Sequence, residues 1–476
     1  MADGHGSTVS TGERFGERGP WRAPRAAAGE AEARVTGELP AWLAGRLVRT
    51  APARFRVGDW EAAHWFDGLG MLYAFELGGG TARLRHRDLN CEHARSLAAG
   101  RRDVAGFATP MRRSLWARLL HPIPTITDNA NVNIVPRGDG FAALTESPRQ
   151  LRVDPATLAV TGEHRWGDDL GALLHTAHPH FDRTRRVWVD LCTDLGLRPG
   201  IAVVEHDPAG RARKVIARWR TPKIPYVHSF GVTERSVVIV AHPLTLSPAK
   251  LLFSDKGFAD QLVWEDTEMH LVVVDRATGA TRTVRAPKGF IFHVIDAFED
   301  ERGITLDALT YDDAAIVQRL RADSLAGGAV DVAPRALRYR LPRGAEVASV
   351  EALSEAGFEF PVVDRRAGGE RRYTWGARVV FDGERSTSTV VALDRTSPAP
   401  IEHAEAGWVF GEPVFARRPG STEEGDGVLL AVGSHVHDDR ALLRVLDART
   451  LQVVAGVEVD VPLPLGFHGG FAPARE

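Results

Sequence analysis

Four of the 18 histidines sit where an imidazole is hard to explain as surface. His178 lies in HTAHPHFD, His228 in PYVHSFGVT, His293 in FIFHVIDAFED and His468 in PLGFHGGF. Three of the four have bulky apolar or aromatic neighbours. A ring in such company is costly to bury unless both nitrogens are satisfied, by hydrogen bonds or by a metal ion. Taken singly, each is more often a satisfied core histidine than a ligand. The set gains meaning from its gaps of 50, 65 and 175 residues. Such gaps exclude a finger or an H-E-x-x-H device, whose ligands are close in sequence. These imidazoles can meet only if a radial fold brings one from each of several units to an axis, which a β-propeller does.

Other histidines compete. His175 and His180 flank His178. His435 and His437 form an HVH pair that on a strand would share a face, but the polar VHDDR beside it reads as a solvated loop. Four neutral imidazoles leave a divalent cation uncompensated, and each needs its other N–H fixed. Glutamates inside apolar runs could do both: Glu146 in FAALTESP, Glu359 in AGFEFPVV and Glu412 in FGEPVF. The alternative for each is a buried Glu paired with an Arg.

The elements that would position them are short strands such as RVWVDLC, SVVIVAH, LVVVDRATG, TVVALDRT and LLRVLDART. Several close on an Asp-centred turn, as hairpin-built blades do. No strict repeat marks a WD40 or kelch array. Two segments break the β pattern, Met111–Leu120 and Leu244–Trp264, and are read as helices or loops capping the top face. Their apolar residues, among them Trp116, Leu119, Leu251, Leu252 and Phe253, are edged by basic residues and offer a rim for membrane contact or for a greasy substrate. Residues 1–33 lack hydrophobic periodicity and read as a mobile tail, leaving 34–476 as a single propeller domain. With 59 basic and 62 acidic residues, the net charge of −3 gives no footprint for nucleic acid. Two cysteines, Cys91 and Cys192, are too few for a disulfide framework, and the N-terminus has no apolar signal region. A cytoplasmic protein, peripheral on a membrane at most, is expected.

In these motifs the chain resembles the carotenoid cleavage oxygenase family. The resemblance runs from GELPAWLAGRLVRT (37–50) through HWFDGLGML (64–72), TDNANVN (127–133), ALTE (143–146), TAHPHFD (176–182), YVHSFGVT (226–233), FHVIDAFED (292–300), FEFP (358–361) and GEPVF (411–415) to GFHGGF (466–471). It implies an all-β, seven-bladed propeller and Fe(2+) held by His178, His228, His293 and His468. It further implies that Glu146 holds His228, Glu359 holds His293 and Glu412 holds His468, with no carboxylate for His178. The implied reaction is cleavage of a C=C bond in a carotenoid or apocarotenoid by O2, giving aldehydes of the retinal type. Asp296 departs from the Asn usual three residues after the third histidine. Thr145 stands where the family's stilbene cleavers carry Lys, against a stilbenoid or phenylpropenoid substrate. Tyr226, two residues before His228, is expected to line the substrate tunnel with Thr145. A propeller that binds or isomerises a hydrophobic ligand without cleaving it is the reading from another class.

Overall fold

In the computed structural model, residues 15–120, 124–171, 173–196, 198–247, 254–365, 369–397 and 399–474 are described. Their strands form seven antiparallel sheets of four or more strands. The first joins Ala28–Glu32, Thr81–Asp88, Leu69–Gly78, Gly45–Arg54 and Gly469–Pro473. The next five follow in chain order, over residues 133–163, 174–220, 231–286, 290–354 and 330–403. The seventh spans 408–459 and takes in the early strand Arg34–Gly37.

Apolar side chains between the sheets show that they form a ring. Val48 and Leu72 of the first blade pack with Ile134 and Leu151 of the second. Similar interfaces join second to third at Leu144 and Trp188, third to fourth at Val203 and Ile239, and fourth to fifth at Val240 and Leu306. Leu309 and Phe358 join fifth to sixth, Trp375 and Phe410 sixth to seventh, and Leu443 and Leu47 seventh to first. The expected seven-bladed propeller is therefore the observed fold. Both chain ends close it: Arg34–Gly37 pairs with Val453–Val459, and Gly469–Pro473 pairs with Gly45–Arg49. The Asp-centred turns recur as read. Asp154, Asp275 and Asp447 each accept from the main-chain N–H and hydroxyl of the Thr three residues on.

Two expectations need correction. The tail reading fails for residues 15–33. Ala28–Glu32 pairs with Arg83–Arg87, and Trp21 is buried against Trp65 and Phe381. One aromatic anchor and one edge pairing order a segment whose composition carries no periodicity. The described parts of Leu244–Trp264 are not helical: Leu244–Leu246 pairs with Ile224–Pro225 and with Val263–Trp264, and a 3-10 turn covers Ala259–Gln261. Leu-Thr-Leu alternates like a strand, and Pro243 and Pro248 bracket it against helix. Leu251, Leu252 and Phe253 lie outside the described residues. In the other segment only Leu115–Leu120 is helical, and Trp116, Leu119 and Leu120 are each more than 70% exposed. Among the described residues no helix is long and apolar enough to cross a membrane.

Candidate metal centre

The four histidines come together on the ring's axis. His178 sits in the loop before His180–Asp182 of the third blade, and His228 precedes Gly231–Val232 of the fourth. His293 lies within Phe290–Glu299 of the fifth, and His468 immediately precedes the strand that closes the first. The three glutamates come from the remaining blades. Glu146 follows Gly140–Leu144 in the second, Glu359 starts Glu359–Val363 in the sixth, and Glu412 follows Trp408–Phe410 in the seventh. Each blade thus supplies one residue.

Local backbone irregularities aim several of them. The register of the fifth blade's inner strand shifts on both sides of Val294, beside His293. The sixth slips between Glu359 and Val362, where Phe360 takes φ 56°. A bulge re-aims a side chain that a regular pleat would turn away, and a non-glycine residue in the left-handed region is held there at a cost. At Gly469 a Cβ would stand 2.2 Å from the Val48 carbonyl oxygen, so only glycine lets the strand after His468 approach so closely.

One nitrogen from each imidazole lies within 4.8 Å of the others. Nε2 of His178 is 3.0 Å from Nε2 of His228, and Nε2 of His293 is 3.3 Å from Nε2 of His468. The opposite nitrogens face carboxylates. His228 Nδ1 is 2.6 Å from Glu146 Oε1, His293 Nδ1 is 2.6 Å from Glu359 Oε2, and His468 Nδ1 is 2.7 Å from Glu412 Oε1. These contacts place the proton on Nδ1 and leave the Nε2 lone pairs converging on one point. Burial pushes His178 well below the ordinary histidine pKa, helped by the other three rings. Burial likewise takes His468 down to about 4, against the pull of Glu412. His178 and His468 are therefore held neutral, with lone pairs free to bind. Four nitrogens at about 2.0–2.1 Å from one cation would stand about 3 Å apart at adjacent positions, which matches the spacing seen. The donor set fits one divalent ion of the imidazole-binding class.

The carboxylates' other oxygens are met in two ways. The Tyr226 hydroxyl donates to Glu146 Oε2 at 2.9 Å, and the Tyr311 hydroxyl to Glu359 Oε1 at 3.0 Å. Burial and the adjacent carboxylate raise both phenols well above their usual pKa, so both remain donors. Glu412 Oε2 instead lies 3.1 Å from Arg49 Nη1, with both side chains buried. Neither Tyr311 nor Arg49 was singled out from the sequence. The signals were thin: a tyrosine ending an apolar strand, and an arginine inside one.

His178 is held differently. Among the described residues no carboxylate reaches its ring. On one side His175 Nδ1 is 2.7 Å from Asp190 Oδ2, and Thr176 Oγ1 donates to Asp190 Oδ1 at 2.9 Å. On the other, Arg365 Nη1 donates to His180 Nδ1 at 2.8 Å, and His180 also bonds the Phe230 main chain. His175, Asp190 and Cys192 also group within 4.8 Å. There Arg213 Nη1 stands 3.1 Å from His175 Nε2, and Asp190 is already engaged, so a cation finds neither lone pairs nor a favourable field. His435 and His437 shape a polar turn, where His435 Nδ1 accepts from the Asp438 N–H.

Above the histidines is a cavity of about 220 Å³. Phe66, Phe107, Phe258, Phe292, Phe360 and Phe467 line it, with Thr145, Tyr226 and Tyr311 as polar points. His228, His293 and His468 also line it, while His178 does not. Asp296 is away from it, 3.2 Å from Arg371, and burial raises its pKa.

Comparison with known proteins agrees with this architecture. Residues 23–473 match the family described as retinal pigment epithelial membrane protein. A chloroplastic carotenoid cleavage dioxygenase 8 homolog A of Oryza sativa subsp. japonica is 32% identical, over 94% of this chain and 86% of its own. The beta,beta-carotene 15,15'-dioxygenase of Rattus norvegicus is 27% identical, over 93% and 89%. In fold, a cobalt-substituted Synechocystis ACO superposes with a TM-score of 0.80 at 23% identity, over 95% of this chain and 98% of the other. The chain belongs to this family of carotenoid cleavage dioxygenases and is an oxygenase of that family.

Proposed function

We propose that His178, His228, His293 and His468 hold one Fe(2+) ion, and that the enzyme cleaves a C=C bond of a carotenoid or apocarotenoid with O2, giving aldehydes of the retinal type. The observation that carries this reading is the convergence of four imidazoles, the three carboxylate-backed ones lining an aromatic cavity. Bound iron would supply the site for O2 and the electrons that activate it. The protein's own part is positional. Glu146, Glu359 and Glu412 fix three rings through their Nδ1–H groups and offset the cation's charge. The phenylalanines clamp an extended apolar chain and keep water out. With Tyr226 and Tyr311 already donating to carboxylates, the cavity offers a polyene few competing polar contacts. No side chain in it needs to transfer a proton.

The exposed Trp116, Leu119 and Leu120 lie on the helix following Met111, itself a cavity-lining residue. They give the mouth an apolar lip suited to peripheral membrane contact, from which a carotenoid would enter. Metal analysis of the purified protein, with product masses after incubation with β-carotene and apocarotenals in air and under nitrogen, tests the reading. Iron near one per chain and O2-dependent aldehydes are expected. Cleavage of a hydroxystilbene alone, or ligand binding without any cleavage, would overturn it.

A further inference from the structure

Three carboxylates back the four histidines, and their buried charges must sum with that of the ion. Three glutamates contribute −3 and a divalent cation +2, leaving one uncompensated negative charge at the centre of the protein. Isolated charge is costly there, because no water screens it. Tyr226 and Tyr311 meet Glu146 and Glu359 with neutral donors. Arg49 meets Glu412 with a cation, and among the described residues it is the only arginine or lysine in ion-pair contact with any of the three. The Arg49 side chain is 2% exposed and its guanidinium is fixed twice over: Nη1 donates to the Glu412 carbonyl at 2.8 Å and Nη2 to the Phe467 carbonyl at 2.6 Å. Its strand opposes Gly469, next to His468. Arg365, on His180, and Arg371, on Asp296, make no ion pair with the three glutamates, although Arg365 lies near enough to feel the charge of Glu412.

We propose that Arg49 is the charge-balancing residue of the metal centre: acting through Glu412, it brings the shell to neutrality around a divalent ion and so holds iron in the ferrous state. The inference rests on the iron-binding reading above. It assigns Arg49 a role beyond pinning two carbonyls, because removing its charge would leave the shell at −1, which favours Fe(3+) over Fe(2+). The third dyad thus differs from the other two in kind. Two carboxylates are polarised by phenols, and one is neutralised by a guanidinium.

The test is a ferricyanide titration of the anaerobically iron-loaded protein, following ferric iron by electron paramagnetic resonance and iron content separately. Ferricyanide takes one electron from Fe(2+) and becomes ferrocyanide. Arg49→Gln keeps an amide donor for the carbonyls but drops the charge. It should reach half-oxidation at a ferricyanide to ferrocyanide ratio lower by on the order of tenfold, the effect of one unit charge about 10 Å away in a protein interior. Arg49→Lys should behave as the parent. Arg49→Gln combined with Glu412→Gln removes one charge of each sign and should return towards the parent. Equal midpoints for Arg49→Gln and the parent, or equal shifts for Arg49→Gln and Arg49→Lys, would overturn the proposal. Should Arg49→Gln not fold, the double variant and Glu412→Gln alone, which should shift the other way, decide it. A parent protein that takes up no iron would instead sink the metal assignment.

Discussion

His178 and the other three histidines meet at one point but are supported by different means. His228, His293 and His468 each lean on a glutamate from another blade, 2.6 to 2.7 Å away. His178 has its loop clamped instead, through Asp190 before it and Arg365 behind it. A carboxylate fixes both the orientation and the basicity of an imidazole; a clamped loop fixes orientation alone. The three carboxylate-backed rings face the cavity, and the loop-held one does not. Charge-donating support is thus concentrated on the cavity side.

The strongest way to break the comparison is to remove rings. If all four imidazoles are ligands, His178→Ala and His293→Ala should both abolish iron retention and cleavage, despite their unlike supports. Full iron content in either variant would remove that histidine from the set. The next effect should separate the supports. Glu359→Gln can still accept from His293 Nδ1 but lacks the charge, and should weaken metal affinity by roughly 10–100-fold. Competition with a chelator measures this, and unaltered affinity would mean that the carboxylate serves packing only. Asp190→Asn should do less, about threefold to tenfold, because it loosens the His178 loop without changing any ring's basicity. An Asp190→Asn effect as large as that of Glu359→Gln would erase the distinction.

Sequence and structure divide along the same line. Three of the histidines and the three glutamates stand out because each sits in a short apolar string, the histidine gaps point to a radial fold, and the family resemblance supplies His178 and the pairing of glutamates with rings. Thr145 and Tyr226 both line the cavity. Their roles at the metal still rest on the proposal above. What escaped were partners set by blade packing. Tyr311 finds Glu359 across 48 residues and Arg49 finds Glu412 across 363. Asp190 reads from sequence as one more polar residue in RVWVDLC, and only strand pairing sets it against His175 and Thr176. The buried Trp21 and the Leu244–Leu246 pairing were hidden for a similar reason, since long-range contacts override weak local patterns.

The last expected effect concerns protons and applies to the metal-free protein. Burial holds His468 at about 4 in the folded state, against an ordinary value of 6.5. Above pH 6.5 both folded and unfolded forms are neutral, and the stability linked to this ring is fully present. As pH falls from 6.5 towards 4 the unfolded chain takes up a proton that the folded chain refuses, so stability drops, by on the order of 3 kcal/mol for one such ring. His178 shifts in the same direction, as do His64 and His242, each taken by burial to about 3. The urea midpoint of the metal-free protein should therefore be flat above neutrality and fall steeply below pH 6.5. His468→Ala and His178→Ala should each shallow that slope by about one proton, whichever support the ring has, because burial is the largest cause of both shifts. A slope altered by one substitution and not by the other would extend the difference between the supports from metal binding to the empty fold.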